Sequence, residues 1–598
     1  MAPSQSPVVQ SGLLHRPGFE PGSAQVAAAR TPWSRQGASA GSWYRRWVHR
    51  LDARRTSGAE VDPGGDAGSS AGRATATRAR GRVDGVGTRE AGADRRLELA
   101  AVVGFTLLAL GLRLFQVLRG NYLFGLTEYD DGVYFGAAVR IVHGVLPYRD
   151  FVLVHPPGLE ILMSPIAWLS RYVGTRDGLA IARVVTAFVG AANTALVGAV
   201  VRRRGLVVTV VACAIMAAFP DAVQAAHTLM LGPYLDFFCL LGALLAFRKG
   251  VLADGSRLVW AGVAFGFAGT VKVWAILPVV VVLVLCLPSL ARLVRYGLGV
   301  AAGFLVPAGY FIAQAPLSFL HDVIVVQLIR IAAVRLPVDF RLASMTGLDG
   351  FTPVSAHEPL ALDVSLGIAG FLVVVFVVTA LRRGGRPDAL EWFALGSTAV
   401  VTAAFLWPAD YYNHYAAFLA PFLALSMAFA AGRVAALLRM VLVPGALVAG
   451  LASLCGLALV AAEGYHLSTV PPVSPFGASA EALIPPGACV LTDWTSMVVL
   501  ANRFVSTDPD CPKMVDSFGT GLALGNGRPV SDGGGRLPAV WHAWLADLEH
   551  AQFVWFSSPT TNRVPFVPPV VDYLETHFRR VPGTPLDLYE RISSVPPG

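Results

Sequence analysis

Apolar residues in this chain gather into runs of about 15 to 25, near the length that carries a helix across roughly 30 Å of hydrocarbon at 1.5 Å per residue. The runs predict an all-α membrane domain of about eleven transmembrane helices, at 97–118, 178–201, 206–224, 231–247, 258–272, 273–288, 296–315, 364–381, 389–407, 412–431 and 439–461. The stretch 258–288 is apolar throughout except for Lys272, which divides it into two spans. Basic residues mark the short loops: Arg202-Arg203-Arg204, Arg248-Lys249, Arg292 with Arg295, Arg382-Arg383 with Arg386, and Arg433 with Arg439. They fall on alternate loops, so the positive-inside rule places them and the N-terminus in the cytoplasm, and the C-terminus outside.

Three stretches then face outward: 119–177, 316–363 and 462–598. Within the first, 131–143 and 158–172 have helical apolar spacing but are too short or too polar to span, so they read as helices lying in the outer interface. The segment 316–333 has the same character. Residues 463–598 are of ordinary soluble composition, with strand-like runs at 488–492, 551–557 and 586–592 and helical patterns at 494–503, 537–549 and 568–578. That alternation predicts a small extracytoplasmic α/β domain. Residues 1–95, rich in Gly, Ala, Ser and Arg, lack apolar periodicity and are expected to form a disordered cytoplasmic tail, leaving 96–462 as the membrane domain. The tail has neither the apolar core nor the cleavage site of a secretory signal, and a start site assigned too far upstream would also explain its composition.

Composition agrees with this pattern: 54% of the 598 residues are hydrophobic and 14% charged, too apolar and too weakly charged for a soluble globular or disordered chain. The formal charge of +8 does not point to nucleic acid, because most of the basic residues lie in the tail and the cytoplasmic loops. Cys213, Cys239, Cys286 and Cys455 fall in apolar runs and read as small hydrophobes. Cys489 and Cys511 fall in the outward domain, an oxidising setting, and are expected to form a disulfide. The Ala, Gly, Arg and Val content suggests a GC-rich bacterial genome, hence a plasma membrane facing a cell wall.

Ionisable groups in or beside a membrane are costly and mark functional cavities. Here Arg113, Asp130, Asp131, His155, Arg183, Asp236, Lys272, Asp410, Tyr411, Tyr412 and His414 all fall at the outer ends of their segments. Each also has a structural explanation. Arg113 can snorkel, Asp236 and His227 can form a polar pair inside the bundle, Tyr411 and Tyr412 fit an aromatic belt, and Asp131 can cap the following helix. Their convergence at one level predicts a wet pocket at the outer leaflet.

The segment Glu128-Tyr129-Asp130-Asp131-Gly132-Val133-Tyr134, followed by Pro147-Tyr148-Arg149-Asp150 and His155-Pro156-Pro157-Gly158, resembles the first outer loop of the GT-C type lipid-linked sugar transferases. These include the protein O-mannosyltransferases, the lipid A aminoarabinose transferase and their bacterial relatives. In that family an acidic pair follows the first span, a Pro-Pro motif comes some twenty-five residues later, and an Arg opens the next span. Asp130 and Asp131 match the pair, Arg183 the Arg, and Lys272 the lysine closing a stretch from Gly266; the ordered motifs cover residues 97 to 290. Where several relatives have Lys before the Pro-Pro, this chain has His155, which makes a phosphate contact there weaker or pH-dependent.

The resemblance implies transfer of a hexose or pentose from a polyprenyl-phosphate donor to an acceptor hydroxyl on an envelope glycan, glycolipid or protein, at the outer face of the bilayer. Asp130 would be the general base, with Asp131 orienting it, capping or holding a divalent ion. Lys272, Arg183, His155 and Arg149 would bind the donor phosphate, and Tyr134, Asp236, Asp410, Tyr411 and His414 the substrates. One base implies inversion at the anomeric carbon. No nucleotide-binding loop is present, and no ligand-spaced cluster commits the chain to a metal. The competing reading is a transporter or flippase for a lipid-linked or envelope precursor, which would usually show internal repeats and polar groups at mid-membrane.

Overall fold

The computed structural model describes residues 73–331, 336–348, 358–382, 385–407, 411–441, 443–584 and 586–592, with side chains of the first helix described from residue 94. The chain divides into two units, Met1–Gly81 and Arg82–Gly598, and apart from residues 73–81 of the first helix the features below belong to the second. Of the tail expected to be disordered, residues 1–72 lie outside the described residues, and the rest is helical from Arg73 onward.

The longer helices of the membrane region are α1 (Arg73–Leu118), α2 (Asp130–Val142), α3 (Gly158–Val173), α4 (Thr175–Val201), α5 (Leu206–Ala218), α6 (Leu231–Ala246), α7 (Ser256–Val271), α8 (Ile276–Cys286), α9 (Leu290–Gln314), α10 (Glu358–Ala380), α11 (Ala389–Leu406), α12 (Ala420–Met440) and α13 (Gly445–Thr469). Among the described residues, seven helices are long and apolar enough to cross a membrane: α4, α9, α11, α12, α13, residues 94–118 of α1 and residues 360–380 of α10. This is a multi-pass membrane protein. The other four segments expected to cross, α5 to α8, have 13, 16, 16 and 11 residues. At 1.5 Å per residue each is shorter than the hydrocarbon layer.

Specific breaks produce these short helices. After α5 comes Pro220, which opens a five-residue helix, and the carbonyls left free around that break are taken up by Arg113. Its guanidinium, wholly buried, donates to the carbonyls of Ala109 and Ala217, each at 3.1 Å, and of Met216 and Ala222, each at 3.5 Å. Arg113 is therefore a pin between α1 and α5 and does not snorkel. After α7 the chain turns extended at Lys272, then makes a single turn at Val273–Ala275 before α8.

Helices α7 and α9 pack through facing glycine pairs. A Cβ on Gly262 would stand 2.4 Å from the Tyr296 carbonyl, and one on Gly266 2.1 Å from that of Val300. Reciprocally, a Cβ on Gly299 or on Gly303 would stand 2.2 Å from a carbonyl of α7. Spacing of four puts each pair on one helix face, so the backbones approach as they do in G-x-x-x-G membrane dimers. This contact fixes the end of α7 from which Lys272 projects.

The basic loops meet at one end of the bundle. Arg204 pairs with Asp388, Arg292 and Arg295 with Asp254, and Arg433 with Glu391. Asp388 also caps α11, and Glu391 returns the hydrogen bond to the Asp388 amide. At the opposite end lie α2, α3, the 219–230 and 272–275 segments, the short helix Asn413–Phe418 and residues 470–592.

That last region forms a sheet of β3 (Val490–Thr492), β4 (Phe553–Phe556), β5 (Phe578–Arg580) and β6 (Asp587–Arg591) in the order β3-β4-β6-β5, with β3 parallel to β4 and the other pairs antiparallel. Strands β1 (Phe247–Arg248) and β2 (Val251–Leu252) form a separate hairpin between α6 and α7. On the sheet pack α15 (Ser517–Leu524), α16 (Pro538–His550) and α17 (Pro568–His577), around Trp544, Val554, Phe556 and Val570, whereas α14 (Thr495–Leu500) packs into the core of the membrane region against α2 and α4. Helix α15 and strand β5 had no counterpart among the expected elements. Cys489 and Cys511 are disulfide-bonded. Cys213, Cys239 and Cys286 are buried as expected of small hydrophobes, whereas Cys455 is exposed on the bundle surface.

Candidate functional site

The two acids that open α2 have opposite surroundings. Asp131 is fully buried and ion-paired with Arg183, itself fully buried. One Asp131 oxygen also accepts from Thr228 at 2.6 Å, and the other accepts from Ser496 at 2.7 Å. Arg183 Nη1 donates to the carbonyls of Tyr122, Leu123 and Gly125 at 2.8, 2.9 and 3.0 Å. This network fixes the first outer loop, and through Ser496 it also holds the sheet region. Gly132 permits the approach, since a Cβ there would lie 2.2 Å from the Ser496 nitrogen. Every N–H of the Arg183 guanidinium is thereby engaged within the protein, whereas Asp131 Oδ1 accepts only from Ser496 and keeps lone-pair capacity.

Asp130 is half-buried and faces the other way. Its carboxylate accepts from Tyr134, one helical turn on, at 3.3 Å. Burial, then the nearby Asp516 charge, raises its pKa above the ordinary carboxylate range, against the pull of Lys272, the Tyr134 hydroxyl and Arg330. Lys272, at the break after α7, holds its ammonium 3.5 Å from the Trp274 ring centre and 4.6 Å from that of Tyr415. Among the described residues it makes no ion pair. Gly158 lets the Pro156-Pro157 turn lie against this break, because a Cβ there would stand 2.6 Å from the Thr270 carbonyl.

His155 packs edge-on to Tyr134, ring centres 5.8 Å apart. Its pKa is held well below the usual value by burial and then by the Lys272, Arg330 and His414 charges. It therefore stands neutral beside the lysine, a hydrogen-bonding group and not a second cation. Arg149 is corrected as well: it is solvent-exposed, paired with Asp150 at 2.7 Å, and not among the charges that act on Asp130. Asp236 lies inside the bundle, where Arg113 and not His227 is the charge acting on it, so it belongs to the interior and not to the outer pocket. Tyr411 is buried and donates to Ser344 at 3.1 Å, while His414 is half-buried under the stacked Tyr412 ring. Asp410 lies outside the described residues.

Several residues of this recess had no role in the sequence reading. Arg330 acts on Asp130, Lys272, His155 and Asp516, and its guanidinium reaches the Tyr412 hydroxyl at 3.2 Å and lies over Phe518. It is carried in by backbone pairing, as the Ile331 amide donates to the Gly527 carbonyl at 2.8 Å. Asp516 caps α15 through the Gly519 amide at 2.7 Å and accepts from Tyr129 at 2.9 Å. Burial and the Asp130 and Asp131 charges push Glu128 up to about 7. Glu160 in α3 is fully buried with neither oxygen hydrogen-bonded, and burial pushes it up to about 8. The one available sequence signal was Arg330 itself, a cation near the end of a mostly apolar outer segment.

Two hollows adjoin the recess. One, of about 280 Å³, is lined by Glu128, Gln224, His227, Tyr412, Asn413 and His414, among others. A narrower gap holds Lys272, Tyr134 and Trp274, and shares Met230 and His414 with the first. A third cavity, of about 730 Å³, is an apolar groove between α10 and α11 lined by such residues as Ile368, Leu372, Trp392 and Leu423. Among the described residues, no group of three or more His, Cys, Asp or Glu could hold a metal ion.

No family model and no curated protein sequence matches this chain. Among solved structures, it is similar to ArnT from Cupriavidus metallidurans, both bound to undecaprenyl phosphate and in the apo state. In each case the identity is 15%, the TM-score 0.51, and the coverage 82% of this chain and 98% of that one. It also matches the Archaeoglobus fulgidus oligosaccharyltransferase in complex with zinc and sulfate, at 13% identity and TM-score 0.46 over 76% of this chain and 67% of that one. The Saccharomyces cerevisiae protein O-mannosyltransferase Pmt1-Pmt2 complex matches at 20% identity and TM-score 0.29, over 37% and 34%. The chain therefore has the ArnT fold.

Proposed function

We propose that the protein transfers a sugar from a polyprenyl-phosphate donor to an acceptor hydroxyl of the cell envelope, at the outer face of a bacterial plasma membrane. The observation that carries this reading is the meeting in one recess of a carboxylate outside the Arg183 network, Asp130, with a buried ammonium, Lys272, that makes no ion pair among the described residues. That ArnT of the same fold was solved with undecaprenyl phosphate bound supports the choice of donor. The apolar groove between α10 and α11 offers hydrocarbon-lined room for part of an isoprenoid chain.

In the reaction, the acceptor oxygen attacks the anomeric carbon while the bond from that carbon to the phosphate oxygen breaks, and polyprenyl phosphate leaves with the bonding pair. The acceptor proton passes to Asp130, whose raised pKa makes it a stronger base than an ordinary carboxylate. Lys272 and Arg330 face the charge that grows on the leaving phosphate, and the neutral His155 can add a hydrogen bond. A single displacement with Asp130 as base inverts the anomeric carbon. The acceptor, an envelope glycan, glycolipid or protein, would approach from the side of Asp516 and Phe518.

The test is turnover of lipid-linked sugar by membranes carrying Asp130→Asn. The variant is expected at normal abundance with activity reduced roughly 10²–10⁴-fold. Normal turnover by this variant would defeat the assignment.

A further inference from the structure

Lys272 carries its charge in unusual company. The side chain is buried and makes no ion pair among the described residues, and the charges that act on it pull in opposite directions, Asp130 favouring the ammonium and Arg330 opposing it. The His155 and His414 imidazoles nearby are neutral. Two ring faces stand where a counter-charge would: the ammonium lies 3.5 Å from the Trp274 ring centre and 4.6 Å from that of Tyr415. Side chains two residues apart do not face each other on a helix. Here Lys272 is extended and Val273–Ala275 make a single turn, which swings the indole back over the ammonium. Tyr415 arrives from the short helix Asn413–Phe418. The two rings meet edge-on at 4.3 Å, and Phe405 packs against both, 4.9 Å from Trp274 and 6.0 Å from Tyr415, so the pair is held in place.

Resting on the transferase reading above, we propose that Trp274 and Tyr415 are positioning residues, whose ring faces keep the Lys272 ammonium charged and aimed for the donor phosphate. A ring face attracts a cation without carrying net charge, and the attraction is greatest at an indole and where water is excluded. A carboxylate in the same place would cancel the charge that the phosphate has to meet and would occupy ammonium N–H groups that the phosphate oxygens need. The rings do neither, so the cation waits in the empty recess and remains available when the donor arrives. Trp274, the nearer and more electron-rich ring, carries more of the effect.

The experiment uses the full chain in lipid nanodiscs, with tryptophan analogues bearing an increasing number of ring fluorines placed at position 274 alone, and measures binding of short-chain polyprenyl phosphate. Fluorine withdraws electron density from the ring face while nearly keeping its shape. Affinity should therefore fall stepwise with each fluorine, by about tenfold across the series, and the series should be flat in a Lys272→Met background. Trp274→Leu should lose at least as much, and Trp274→Phe should recover part of the loss. A ring that served only as packing would give no slope, so a fully fluorinated protein that binds within twofold of the wild type would overturn the proposal. The fluorine NMR resonance of the singly fluorinated protein should also move on Lys272→Met with no ligand added, and an unmoved resonance would overturn the contact itself. Failure of the transferase reading looks different: the wild type would not bind polyprenyl phosphate, or Lys272→Met would bind it equally well, while the fluorine resonance still moved.

Discussion

Asp131→Ala and Asp130→Asn should separate two neighbouring acids completely. Removing the Asp131 carboxyl leaves the Arg183 guanidinium with no ion-pair partner in a site without solvent access, strips Thr228 of its acceptor, and leaves Ser496 only the Glu128 carbonyl. Breaking a buried ion pair from one side costs about 3–5 kcal/mol. The loss falls on the contact between α2 and the sheet region, because Ser496 reaches α2 through this carboxylate and the Gly132 amide. Thermal unfolding of the detergent-solubilised protein should therefore show a marked fall in midpoint for Asp131→Ala. Limited proteolysis should show earlier cleavage between residues 470 and 592. Arg183→Met should be about as damaging. The double variant should be less so than the sum of the two, with a coupling above about 1.5 kcal/mol, although three carbonyls remain without their donor. Asp130→Asn should leave the midpoint within about 0.5 kcal/mol of the wild type. An Asp131→Ala protein as stable as the wild type but inactive would refute the division of roles and return Asp131 to the chemistry.

Arg330→Met should lower turnover by roughly 10²-fold while the protein remains folded, as for loss of a charge that meets the leaving group, and a rate within twofold of wild type would remove Arg330 from the site. The Asp516 charge raises the pKa of Asp130, and the base acts only when ionised, so Asp516→Asn should move the acid limb of the pH–rate profile to lower pH. An unchanged or raised limb would contradict that coupling. Glu160 is raised from 4.5 to about 8, so the folded state holds a proton there that the unfolded state releases above about pH 4.5. Its contribution accordingly falls as pH rises from about 4.5 to 8, by on the order of 5 kcal/mol, and Glu160→Gln should flatten the stability profile across that window in thermal melts.

What the sequence made legible depended on locality. Apolar runs follow from composition over some twenty residues, so α1, α4 and α9 to α13 could be read directly. The division at Lys272 could be read too, because a lone charge in thirty apolar residues has few other uses. Half-length helices were harder, since α5 to α8 end at breaks whose free carbonyls are satisfied by partners such as Arg113, about a hundred residues away. Side-chain roles were the least legible. Arg183 and Asp131 carry the same residue types whether they bind phosphate or each other, and only the 52 residues of chain between them, folded back, decide the matter. Arg330 was hidden for the same reason: the Gly527 carbonyl that anchors the neighbouring amide lies nearly two hundred positions downstream.

The sheet region is consequently part of the recess and not a cover over it. Ser496 holds the acid that anchors Arg183, Gly527 and Phe518 set where Arg330 stands, and Asp516 sets how readily Asp130 takes a proton. Arg563, paired with buried Asp493 at the end of β3, lies over both Tyr129 and Trp494 and so continues the contact to the loop that carries Asp130. A charged side chain delivered from one region and tuned by another can be neither positioned nor titrated by either alone. Changes that loosen the sheet region should therefore weaken donor binding and shift the pH profile together, whereas a detachable acceptor-binding module would alter only the affinity for acceptor.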